Sequence, residues 1–154
     1  MTKQEFNVFF KNECNSRGFR KVKKYFYLLG TEVMCSIHLQ KSNYGNVYYV
    51  NYCFYIGDFR QCKDYPTHYD ADIVGRINVM SKTQQYQGKC FMTSMIEYDE
   101  YTAEELSEYF EKTFNELILP PITLGKKYIS AHLNSLYFLT INKEKVLSKL
   151  NIKG

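Results

Sequence analysis

The chain has 154 residues, 45% of them apolar, and a net charge of +4, which is one domain's worth of sequence. That composition excludes intrinsic disorder, and no run approaches the roughly 18 apolar residues of a membrane span. A chain this long buries about two-thirds of the surface its unfolded form exposes, so folding requires neither a disulfide nor a metal.

The polar start, Met1-Thr2-Lys3-Gln4-Glu5, reads as a helix entry and not as a signal peptide. Thr2 and Glu5 form a capping box, and Phe6, Phe9, Phe10 and Cys14 recur at helical spacing. This predicts a helix over about residues 3–16, ended by Gly18. Residues 19–56 read as strands. Tyr25–Leu29 is aromatic and apolar, and Gly30-Thr31 makes a turn. Val33–Leu39 alternates, with Val33, Cys35, Ile37 and Leu39 on one face. Asn43–Asn46 is a turn cluster, and Val47–Ile56 follows with Tyr48, Val50, Tyr52 and Phe54 facing one way. Short connections make an antiparallel meander the economical topology. Gly57–Asp72 reads as a long loop. Ile73–Met80 and Cys90–Ile96 are strand candidates, split by a polar stretch, Ser81–Gly88.

Thr102 and Glu105 form a second capping box, with Tyr101 and Leu106 as a hydrophobic staple. Leu106, Tyr109, Phe110, Phe114 and Leu117 then trace one helical stripe, with Glu104, Glu105, Glu108 and Glu111 opposite; Pro120-Pro121 is expected to stop the helix. Lys126–Leu139 has helical spacing at Ile129, Leu133, Leu136 and Tyr137, and Asn142 caps a final short helix. The expected fold is α+β: a four- to five-stranded antiparallel meander with N- and C-terminal helices mainly on one face. The domain boundaries are 1–154, with 121–154 as a helical extension.

The chemistry-bearing residues are few. Charge is uneven: +5 over residues 1–30, −7 over 97–116 and +5 over 117–154. Five cysteines, an odd number with no C-x-x-C, suit reduced thiols in the cytoplasm better than a disulfide framework. His68, Asp70 and Asp72 would share a face if extended and suit a divalent transition metal, although the bland reading is a solvated acidic loop. Cys53 and His38 fall on one sheet face, but a nucleophile needs an orienting group and none is evident. Gly-rich phosphate loops are absent.

Three surfaces are candidates for binding. Arg17, Arg20, Lys21, Lys23 and Lys24 precede Tyr25-Phe26-Tyr27, the composition of a nucleic-acid contact. The alternative is that these cations serve a helix end and protect an edge strand. The sheet face away from the helices would carry Ser36, His38, Gln40, Tyr49, Asn51 and Tyr55, which suits a protein interface unless other elements cover it. The glutamate face at Glu104–Glu111 is either simply solvated or complements a basic partner.

The stretch Leu39-Gln40-Lys41-Ser42 through Tyr48-Tyr49-Val50-Asn51, with Phe6 through Gly18-Phe19 and Gly75-Arg76-Ile77, resembles a bacterial domain-of-unknown-function family numbered 4304. The resemblance spans about residues 3–120 and implies a small cytosolic α+β domain. By analogy with similar small domains it implies a partner-binding role, including immunity proteins beside toxins. The expectation is therefore a non-enzymatic protein-binding module without cofactor or membrane contact. A nucleic-acid-contacting domain and a metal-dependent hydrolase are the alternatives.

Overall fold

The computed structural model describes residues 1–134, 139–140 and 142–151. Helix α1, Lys3–Asn15, begins at Thr2, whose hydroxyl accepts from Glu5 N–H at 3.1 Å while the Glu5 carboxylate accepts from Thr2 N–H. Gly18 leaves the helix at φ +83°, a conformation that favours glycine. Strands β1 (Arg20–Val22), β2 (Tyr25–Leu29), β3 (Val33–Lys41), β4 (Val47–Ile56) and β5 (Ile73–Arg76) follow as an antiparallel meander.

The sheet is larger than the expected four or five strands. A short β9 (Leu139–Thr140) pairs with β5, and β8 (Ile96–Glu97) pairs with the start of β4. Expected strand Ile73–Met80 divides in two: β5 ends at Arg76, and β6 (Val79–Tyr86) leaves the sheet to pair only with β7 (Lys89–Thr93). The polar stretch from Ser81 is therefore mostly strand and not a connector. Its polarity reflects exposure on both sides of a two-stranded arm.

Helix α2, Ala103–Thr113, carries the second capping box at Thr102 and Glu105. The helical path does not end at Pro120-Pro121, the expected stop. A π-helical turn, Phe114–Ile118, leads into α3, Leu119–Leu124, which places both prolines at its first turn. There their missing N–H groups are not needed. The helix expected over Lys126–Leu139 is only α4, Lys126–His132; Leu139 belongs to β9, and Leu136 and Tyr137 lie outside the described residues. Asn142 caps α5, Lys143–Lys149, as its sequence indicates. No described helix is long and apolar enough to cross a membrane.

The main core lies between the helices and one sheet face. Phe6, Phe9 and Phe10 of α1 and Leu106 and Phe110 of α2 pack on Phe26, Ile37, Val50 and Tyr52. Gly75 sits against the Tyr52 ring, so closely that a Cβ there would collide with it. The α5 helix is tied down by charge as well as by Val146. Asp72, 1% exposed, accepts from Ile56 N–H at 2.8 Å and from Lys149 Nζ at 2.8 and 3.0 Å.

Candidate functional site

The outer sheet face is set by the β3–β4 register, which places Met34 opposite Tyr55, Ser36 opposite Cys53, His38 opposite Asn51 and Gln40 opposite Tyr49. The loop between β4 and β5 covers half of this face. Tyr27 Oη donates to Pro66 O at 2.6 Å and Tyr55 Oη to Thr67 O at 3.0 Å. Since Tyr55 has one proton, Ser36 Oγ donates to it at 2.8 Å. Tyr25, Tyr27, Met34, Cys53 and Tyr55 form a second apolar cluster under the loop. Hence Tyr55 and His38, read from sequence as candidates for a partner-facing surface, are 4% and 7% exposed. Tyr49 and Asn51 are half-buried, and Gln40 is exposed. Among the described residues the cover is this loop.

At the uncovered end Arg76, opposite Asn51 in the β4–β5 register, organises the polar groups. Its guanidinium carbon sits 4.2 Å from the centre of the Tyr49 ring. Its Nε donates to Asn51 Oδ1 at 2.9 Å and its Nη2 to Gln40 Oε1 at 3.3 Å. Arginine cannot accept, so it fixes which way both amides point. The Asn51 amide nitrogen then donates to Gln40 Oε1 at 3.0 Å and to His38 Nε2 at 3.3 Å. This assigns the His38 proton to Nδ1, which is buried without a partner among the described residues. His38 stacks on His68 at 5.0 Å between ring centres, and His68 Nδ1 bonds Tyr25 Oη at 2.6 Å. Burial, with the nearby His68 and Lys24, lowers the His38 pKa to about 4.

That electrostatic setting argues against a Cys53–His38 nucleophile. Burial raises the Cys53 thiol to about 11 while His38 is held neutral, the reverse of a thiolate–imidazolium pair. The metal reading fails on geometry. His68–Asp70 is a 3₁₀ turn, so alternate residues do not share a face. His68 turns to His38 and Tyr25, while Asp72 is held by Lys149 and the Ile56 amide. Among the described residues no group of three His, Cys, Asp or Glu side chains could hold a metal ion.

The basic segment does not form one patch either. Arg17 pairs with Glu13 and lies 4.4 Å from the Phe114 ring centre, on the helix side. Lys21 lies over Phe26, and Lys23 occupies the β1–β2 turn at φ +57°. Arg20 is exposed on edge strand β1, and only Lys24 reaches the outer-face groove. On α2, Glu105 is engaged in its cap and in an ion pair with Lys82, whereas Glu104, Glu108 and Glu111 are exposed.

The outer-face groove is lined by Lys24, His38, Gln40, Asn51, His68 and Arg76 and continues past Gly75 toward Lys112; Glu116 is the only carboxylate among its described lining residues. Arg76 is not among the site residues expected from sequence. A lone arginine after a glycine carries no local signal, and only the strand register brings it to Asn51. No curated protein and no solved structure matches the chain. A family model described as a domain of unknown function, DUF4304, matches residues 10–123. With the motifs around Leu39–Asn51 and Gly75–Ile77 inside that span, the chain belongs to the DUF4304 family.

Proposed function

We propose that the protein is a binding module that takes an acidic segment of a partner protein at the uncovered end of its outer sheet face. One observation carries this reading: Arg76 is held by Tyr49, Asn51 and Gln40, and no carboxylate lies within ion-pair distance of it among the described residues. A guanidinium already fixed in place loses little freedom on meeting a carboxylate and offers it two parallel donors. Tyrosine and arginine together are the usual composition of binding hot spots. The immunity-type reading has separate support in the exposed Glu104, Glu108 and Glu111, which complement a basic partner.

The test is capture by the tagged protein from nuclease-treated lysate of its own cells, comparing wild type with Arg76→Ala. Loss of a charge-assisted pair worth about 1.5–3 kcal/mol should weaken the captured partner's affinity by roughly 10- to 100-fold. Equal recovery by Arg76→Ala overturns the sheet-face reading. If Glu104→Lys alone loses the partner, the contact moves to α2. Recovery seen from a parallel untreated lysate and lost after nuclease treatment favours nucleic acid, with Lys24 as the basic-segment contact in the groove.

A further inference from the structure

Met80, Tyr86, Phe91 and Met92 account for four of the nine large apolar side chains exposed among the described residues, and all four lie on the β6–β7 arm. The base of the arm is anchored: Val79 and Ser81 are buried, and Tyr101 Oη donates to Met80 O at 2.5 Å. Beyond it β7 is exposed from Lys89 to Met92. Strand alternation puts Cys90 and Met92 on one face and Phe91 on the other. Both faces are therefore apolar and both are solvated, which is the composition of a strand covered on two sides.

The two edges of the arm differ. Native sheets protect free edges with bulges and charges. β6 has both, a register shift between Met80 and Gln85 and an internal Lys82. β7 has only the terminal Lys89, and its outer edge pairs with no described strand.

We propose that β7 is an association edge for a second copy of this chain, which adds its own β7 antiparallel across a two-fold axis. The two arms then form one four-stranded sheet. The charge pattern of β7 suits an identical strand. Centred on Phe91, the pairing sets Phe91 against Phe91 of the second copy, an aromatic cross-strand pair. Cys90 falls opposite Met92, and Lys89 opposite Thr93, so the one charge on each strand never faces its like. The other cation of the arm, Lys82, is paired with Glu105. An isologous two-fold contact is also the commonest way for a chain to self-associate. Contact confined to the arm is smaller than the roughly 800 Å² per partner of a standard interface, so the dimer is reversible.

Sedimentation equilibrium of the full chain over a hundredfold concentration range tests this. The expected mass rises from 18.3 kDa toward twice that value. Phe91→Lys, at an exposed position of the arm, should stay monomeric because it sets two cations face to face at the axis. Met92→Cys should give a covalent dimer through the native Cys90 on mild oxidation. A wild type that is monomeric throughout overturns the proposal and leaves β7 to a different protein. So does a Phe91→Lys variant that dimerises as well as wild type.

Discussion

His38 shows how one side chain takes its chemistry from its neighbours. Alone it titrates near 6.5, whereas in the fold burial, His68 and Lys24 lower it to about 4. Between those values the unfolded chain binds a proton that the native chain refuses. This contribution to stability is complete above pH 6.5 and is lost as pH falls from 6.5 toward 4. Urea midpoints at pH 7.5, 6 and 5 should fall in that order for wild type and fall less for His38→Phe. A wild-type midpoint that is level across the window would contradict the assignment. Nothing in the sequence foretold this. His38 could be placed on the outer face by alternation, but its burial depends on a loop that begins at Gly57. Arg76 is the same case: its partners Gln40 and Asn51 are 36 and 25 positions away.

Among elements, those with local signals were legible. Both capping boxes form as the T-x-x-E spacing indicates, since donor and acceptor lie three residues apart in one turn. Thr102→Ala removes the acceptor for Glu105 N–H and should cost about 1 kcal/mol, read as a lower urea midpoint at unchanged m. An unchanged midpoint would mean the tertiary contacts of Leu106 and Phe110 alone hold the helix start. Elements that answer to non-local demands were misread. Pro120-Pro121 breaks a continuing helix but fits the first turn of a new one, and the π turn before it supplies that new start. β6 lacks apolar alternation because it has no buried face beyond its base, so the period-2 signal had nothing to record.

The whole molecule depends on the C-terminal region beyond the family match. α5 brings Val146 to the main core and Lys149 to the buried Asp72. A chain ending at Asn134 would leave that carboxylate without its two cations, Lys149 and Lys145, a loss worth about 3–5 kcal/mol, which is a large share of a typical domain's stability. Its urea midpoint should drop sharply or folding should fail, and Asp72→Asn in the shortened chain should restore part of the loss. An unaffected shortened chain would show α5 to be dispensable.

By itself the sequence determined the α+β class, the meander from Tyr25 to Ile56, the two capped helices and the helix-facing core, because period, caps and turns act within a few residues. Tertiary structure alone decided that the outer face is half covered, that Asp72 is held by Lys149 of α5 while His68 turns to His38, and that Arg76 organises the open end. Each of these joins residues far apart in the chain, and contacts at that range are set by strand register and loop path, which leave no periodic trace in the sequence.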